Sequence, residues 1–350
     1  MTHYVHIKRI DSELELSRTN LNVTRAYRIG CKYEEQDELD VGVLYITMND
    51  VCKLYDGVVT LSPEMATNYI GDEQVCLTTT NEQTTTRFWT LDAKEFPPMY
   101  NGTLQDVCAI DGTELATAIS KVYPAVGDSI VRPALGNIYI EYIDDNQLRV
   151  WATDGCMYIE QIIPGRHRSS GTIIPLPGKA IKNLATSLKG TKYRMSWGDC
   201  DLTKEKFNRS IVVNLHSNDG ERLSIISQLE TALSKTISLN RLEFDKLVIC
   251  GSVLITPTDR QLTPTKLLKA FGRKSKVTLA IQNAAVSFIG ERTNIKWSSV
   301  YNTGNGKIKL NTQRFVNCWK AMNGECVITF NKHTLIMKSE NAIAWIASTA

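Results

Sequence analysis

The chain has 350 residues, of which 43% are apolar and 22% charged, with a net charge of +3. That length predicts two or three domains, and the composition is that of an ordinary globular protein. The absence of any run of about eighteen apolar residues excludes a helical membrane span. The charged N-terminus is expected not to serve as a secretory leader, and nine cysteines with no Cys-x-x-Cys pair predict free thiols in a reducing, cytoplasmic setting.

In chain order, LELSRTNLN (14–22) reads as a strand ending in turn residues. ITMNDVCKLYDG, beginning near Thr47, reads as a short helix closed by Gly57, and alternating strands follow. KEFPPMYNGT (94–103), with two prolines and a glycine, marks a boundary. TELATAISKVY (113–123) carries Leu115, Ile119 and Val122 at helical spacing and is stopped by Pro124. LRVWATDGC (148–156) is again a strand running into a turn, and the stretch 178–189 is an amphipathic helix ending at Gly190. A second boundary falls near residue 232. Residues 240–255 open with Asn240 and Glu243 in capping-box-like spacing and predict a helix, with Phe244, Leu247, Val248 and Gly251 on one face. TPTDRQLTPTKLLKAFGRKSK (256–276) reads as an inserted loop or short helix. VSFIGERTN (286–294) is a third strand-and-turn, and LNTQRFVNCWKAMNG a third helix closed by Gly324.

A strand-turn segment followed at a distance by a Gly-capped helix and more strands thus occurs three times. Such periodic self-similarity predicts an α+β chain of three tandem units, spanning 1–104, 105–232 and 233–350. No helix precedes the first strand-turn, so the first unit is expected to lack its first helix.

The succession EFP (95–97), RPALGNIYIE (132–141) and LRVWATDG (148–155), set in a threefold repeat, resembles the bacterial DNA polymerase III beta sliding clamp family. The resemblance implies a ring-forming head-to-tail homodimer that encircles double-stranded DNA without regard to sequence. It also implies a pocket that takes short peptides from a polymerase and a clamp loader. Leu135, Thr153 and Gly155 match the family's pocket, and Cys156, Met157, Tyr158 and Ile346 occupy neighbouring positions. Where the family continues His-Arg-Leu, this chain has Cys-Met-Tyr, and AWIASTA replaces the family's Met-Pro-Met-Arg-Leu-like tail, so peptide specificity is not carried over. Met157 and Tyr158 are expected to furnish an apolar pocket surface. Thr86 and Phe88, with Val253 and Leu254 at the end of the expected helix, occupy the family's dimer interface; Phe88 reads equally well as core of its own unit. A reduced clamp of this kind fits a phage or mobile element. The alternative is a clamp-like accessory or scaffold protein that docks partners or DNA without closing a ring.

Residue chemistry bears on the DNA reading independently. On the helix 178–189, Ile181, Leu184, Ala185 and Leu188 form the apolar stripe, while Lys179, Lys182 and Lys189, with Lys192 beyond, make a polar face without acids. Such a face suits phosphate attraction without base readout, or is a solvated surface. Arg314 and Lys320 on the third unit's helix are the matching candidates, whereas the first unit's helix has Lys53 beside Asp50. Lys266, Lys269, Arg273, Lys274 and Lys276 in the insertion either reach DNA or form a polar excursion.

No catalytic constellation is visible. Asp154 in Thr-Asp-Gly could present a carboxylate or simply make a turn, but aspartic-protease chemistry needs two paired carboxylates, and Asn294 stands at the comparable place in the third unit. The five histidines are dispersed, with no cysteines at zinc-ligand spacing, and no glycine-rich phosphate loop occurs. The chain is expected to be no enzyme and to need no metal or cofactor.

Overall fold

The computed structural model describes residues 4–19, 23–32, 39–44, 58–82, 84–92, 94, 96, 104–130, 132–167, 173–200, 209–229, 251–255, 263–282, 285–297, 302–322 and 324–349. The chain divides into two compact units. The first comprises Met1–Asp106, Tyr193–Cys200 and Ile211–Ile226, and the second Val107–Lys192, Asp201–Ser210 and Ser227–Ala350.

The first unit begins with β1 (Tyr4–Ile10), β2 (Glu13–Thr19), β3 (Val23–Gly30), β4 (Asp40–Leu44), β5 (Thr60–Thr67), β6 (Glu73–Thr80) and β7 (Thr85–Asp92). Alternation explains these strands: in β1, Val5 and Ile7 are buried while His6 and Lys8 point the other way. Both join a core of Leu14, Leu39, Val41, Val43, Leu77 and Phe88. β4, β1, β2 and β3 pair antiparallel in that order, and β5, β6 and β7 form an antiparallel meander that meets β4 through residues 90–92 of β7.

Next along the chain come β8 (Gln105–Asp111), β9 (Asn137–Asp144), β10 (Gln147–Thr153), β11 (Met157–His167), β12 (Ile173–Pro177), β13 (Lys192–Cys200), β14 (Arg209–Ser217) and β15 (Glu221–Leu229). Residues 221–225 of β15 pair with β3, so the run reads β4-β1-β2-β3-β15. The rest are β16 (Gly251–Ile255), β17 (Lys276–Gln282), β18 (Ala285–Ile289), β19 (Asn294–Trp297), β20 (Asn302–Gly304), β21 (Gly306–Asn311), β22 (Cys326–Phe330), β23 (Thr334–Ser339) and β24 (Ala342–Ala347). In the second unit one antiparallel run reads β12-β9-β10-β11-β24-β23-β22-β16-β20, and a separate sheet reads β19-β18-β17-β21. All three strand-turn repeats are hairpins: β2–β3, β10–β11 and β18–β19.

Four helices are described: α1 (Gly112–Val122), α2 (Gly178–Leu184), α3 (Pro264–Phe271) and α4 (Thr312–Ala321). α1 starts because Asp111 accepts from the N–H groups of Thr113 and Glu114, and it buries Leu115, Ala118, Ile119 and Val122. Asn311 caps α4 in the same way through the Arg314 N–H, and Thr263 caps α3 through that of Lys266. α2 lacks a side-chain cap, and its helix ends at Leu184 rather than Lys189; residues 185–190 continue as turns to Gly190, whose φ of 82° suits glycine.

One expectation is corrected here. Residues 251–255 form β16, not the end of a helix, and residues 240–250 lie outside the described residues. Of the two readings of the stretch 256–276, the short helix holds: it is α3, which packs on α4. The expected helix ending at Gly57, with Asp50 and Lys53, also lies outside the described residues.

α1 and α2 meet at a glycine. A Cβ on Gly112 would lie 2.0 Å from the Leu188 carbonyl oxygen and 2.7 Å from that of Thr191, both backbone atoms that cannot swing away. Gly112→Ala is therefore expected to cost about 1–3 kcal/mol through overpacking. Urea unfolding monitored by circular dichroism measures it; an unchanged midpoint would contradict the close approach.

Candidate nucleic-acid and partner-binding faces

α2 buries Ile181, with Ala185 and Leu188 in the following turns, and leaves Lys179, Lys182 and Lys189 exposed; Lys192 at the start of β13 is exposed as well. The Lys182 ammonium lies over the Tyr123 ring, 4.0 Å from its centroid, just beyond α1. Two backbone groups lock the helix ends together: Gly112 N–H donates to the Thr191 carbonyl at 2.9 Å, and Gly190 N–H to Thr113 Oγ1 at 3.0 Å. α1 contributes both signs, with Glu114 in its first turn and Lys121 in its last. Burial lowers the pKa of Lys121 and Glu114 opposes that shift.

The α3–α4 pair offers the second basic face. Lys266, Lys269, Arg273, Lys274, Lys276 and Lys320 are all exposed, and neither helix contains an acid. Arg314 departs from the expectation of a DNA contact. Its side chain is about two-thirds buried and donates to Asp154 Oδ2 at 3.0 Å.

That ion pair answers what the Thr-Asp-Gly turn does. Asp154 Oδ1 accepts from the N–H groups of Cys156 and Met157 at 2.8 and 2.7 Å. Thr153 Oγ1 donates to the Met157 carbonyl at 2.8 Å and accepts from Gly155 N–H at 3.1 Å. Gly155 takes a φ of 85°, which a side chain would strain. Both carboxylate oxygens of Asp154 are thus committed to holding a turn. Beneath the pair, burial pushes the Cys318 thiol well up, and the nearby Asp154 carboxylate adds to the shift. Cys318 is packing material, not a nucleophile.

The structure brings Leu135, Thr153 and Gly155 together. A Cβ on Gly127 would lie 2.9 Å from Leu135 Cβ and 3.2 Å from Asp154 Cα, so Gly127 and Leu135 lie against the turn. Leu135 is half-buried, and Gly155 and Cys156 are exposed. Met157, Tyr158 and Ile346 differ from the expected pocket lining: all are at most 2% exposed. The reason is the pairing of β11 with β24, Met157 opposite Ile346 and Tyr158 opposite Trp345. Tyr139 stacks on Trp151 at 4.2 Å, Tyr158 follows at 5.8 Å and Trp345 at 6.3 Å, a continuous aromatic row. The Tyr158 hydroxyl donates to Glu160 Oε2 at 2.6 Å. These side chains support the turn from within the sheet.

The expected dimer residues are also redistributed. Phe88 is 4% exposed in the core of the first unit, and Val253 is 1% exposed on β16, which has strands on both sides. Thr86 and Leu254 are half-buried. Two features went unread in the sequence: the Asp154–Arg314 pair, whose partners are separated by 160 positions, and the edge strand β19. Among the described residues no group of three or more His, Cys, Asp or Glu could hold a metal ion, and no helix is long and apolar enough to cross a membrane.

No protein-family model matches the chain, and no curated protein matches it. Solved structures do. DNA polymerase III subunit beta from Pseudomonas aeruginosa superposes with a TM-score of 0.76 at 15% identity, over 99% of this chain and 92% of that one. The DNA polymerase sliding clamp from Caulobacter crescentus gives 0.75 at 14%, over 100% and 92%. A Pseudomonas aeruginosa sliding clamp bound to griselimycin gives 0.71 at 16%, over 100% and 91%. From β1 to β24, the chain has the fold of the bacterial DNA polymerase III beta sliding clamp.

Proposed function

We propose that the protein is a DNA sliding clamp: a non-enzymatic processivity factor, built from three tandem repeats, that closes as a homodimeric ring around duplex DNA. The observation that carries this reading is the extent of the fold match, which spans 99% of the chain. The two helix pairs add to it, because α2, α3 and α4 expose Lys179, Lys182, Lys266, Lys269 and Lys320 without a single acid. Contacts from such faces are weak, salt-sensitive and indifferent to sequence, as sliding requires. A polymerase and a clamp loader would dock by short peptides at the turn 153–156, against Leu135, Gly155 and Cys156. No cofactor is needed, and the protein would act in the cytoplasm, at the nucleoid when on DNA.

Ring closure needs open strand edges. In β7, the edge facing away from β6 has no strand partner at residues 85–89 among the described residues, and β19 is the last strand of its sheet. Exposed edges of this kind invite pairing with a second chain. A ring closed by β7 and β19 assigns the interface to backbone pairing, with Thr86 beside it, and leaves Phe88 and Val253 as supports. The burial of those two residues favours the second reading, a non-ring accessory or scaffold protein. Light scattering across a concentration series decides between them. A mass twice the 39.2 kDa of one chain is expected. A monomer at every concentration would overturn the ring and leave the accessory reading.

A further inference from the structure

The sheet β19-β18-β17-β21 has two unlike faces. One buries Val277, Leu279, Val286 and Phe288 and packs on α4, where Phe288 meets Phe315 edge to face at 5.6 Å. The other presents Lys296, Lys307 and Lys309, all exposed. Register fixes their places: Lys307, Ala280, Ser287 and Lys296 form one cross-strand row, and Lys309, Thr278, Ile289 and Asn294 the next. Lys307 and Lys309 therefore stand about 7 Å apart along β21, and Lys296 about 14 Å across the sheet from Lys307. Lys276 at the head of β17 shares this face, and Arg292 is exposed in the β18–β19 turn.

Cations on the other sheets face acids across the strands. Lys8 meets Asp40 at 2.8 Å, Arg28 meets Glu15 at 2.9 Å, Arg149 meets Glu141 at 2.9 Å and Arg87 meets Glu64 at 3.2 Å. By contrast β17, β18, β19 and β21 contain no Asp or Glu at all. The row neighbours of Lys296, Lys307 and Lys309 are Ser287, Ala280 and Thr278, and Glu291 stands in the turn with Arg292. A face of one sign, with no cross-strand acid to offset it, is repelled by itself and relieved by a polyanion.

The rest of the face says which polyanion. A protein partner needs a buried apolar or aromatic anchor, and the only large apolar side chain in these rows is Ile289, 41% exposed and at the turn end of β18. Single-stranded nucleic acid needs rings on which to stack its bases, and no residue of either row is aromatic. Duplex DNA needs neither: it offers about one charge per 1.7 Å of axis, to which lysines at these spacings can attach as point charges.

We propose that this sheet face is a second docking surface for duplex DNA, on the side of the sheet opposite α4 and separate from the helix faces. It holds duplex that is not enclosed, and so does not depend on ring closure. The test is fluorescence anisotropy of the full chain with a short, blunt-ended linear duplex, which no ring can retain, over a series of salt concentrations. Changing Lys296, Lys307 and Lys309 together to Gln is expected to raise the Kd about tenfold or more and to flatten the slope of log affinity against log salt by about 2.7. The same three positions changed to Arg should bind as the parent does. Adding the Lys179, Lys182 and Lys189 reversals to the Gln variant should multiply the two losses, because the surfaces are separate. All three side chains are exposed, and a urea midpoint confirms that the Gln variant folds. An unchanged Kd and salt slope in that variant would overturn the proposal. So would tighter binding of a single strand of the same length, or of polyglutamate of equal charge, lost in the same variant; the latter result would make the face a dock for an acidic protein.

Discussion

Reversing the charge of Lys179, Lys182 and Lys189 together, each to Glu, is expected to abolish retention on nicked circular duplex DNA while the fold survives. All three side chains are exposed, so the reversal opens no cavity and buries no charge. Within the protein it takes the Lys182 cation off the Tyr123 ring, 4.0 Å away, at a cost of roughly 0.5–1 kcal/mol for an exposed site. The effect on DNA is larger because counterion release scales with the number of phosphates neutralised. Three fewer neutralised phosphates should flatten the slope of log affinity against log salt by about 2.7 and weaken binding by about a hundredfold or more. Co-elution with a nicked plasmid in gel filtration, at two salt concentrations, reads both quantities. Arg314→Met is the internal control, since its guanidinium is already held by Asp154 and its removal should leave retention unchanged. Retention of the triple variant at parental levels would sink the assignment of α2 to DNA.

The contrast between Lys182 and Arg314 shows where sequence reading carries and where it stops. Local signals were legible: the Pro124 stop and the glycines at 190 and 324 are each decided within one turn of the chain. Residues 251–255 misled because Val253 and Leu254 fit the end of a helical face as readily as a strand, and period alone cannot separate them. The signal that decides for the short helix over the loop in 256–276 is Thr263-Pro264, an N-cap followed by proline at the first helical position of α3. The turn at 153–156 was placed correctly by Thr153 and Gly155. The burial of Met157, Tyr158 and Ile346 was not visible, because it depends on β11 finding β24 almost two hundred positions away. No composition or spacing encodes such a pairing, nor the choice of Asp154 as the partner of Arg314.

That partnership supplies a second large effect. Asp154→Ala removes two charge-assisted bonds to the backbone N–H groups of Cys156 and Met157 along with the ion pair to Arg314, whose side chain is 32% exposed against 20% for Asp154. Partial exposure discounts the ion pair, but the two amides would lose their acceptor in a turn that Gly155 already holds at positive φ. A cost of about 3 kcal/mol is expected. Asp154→Asn separates the parts: its amide oxygen can still accept from both N–H groups, so only the ionic component goes, about 1 kcal/mol. Arg314→Met should cost about the same, and the Asp154→Asn/Arg314→Met double variant should cost less than the two single costs added, because both remove one interaction. Urea unfolding of the four variants gives the cycle. The turn positions Gly155 and Cys156, the exposed part of the proposed peptide site, so Asp154→Ala should also weaken polymerase stimulation, with Asp154→Asn close to the parent. A stability loss under about 0.5 kcal/mol for Asp154→Ala, the range of an ordinary surface substitution, would show that the carboxylate does not hold the turn.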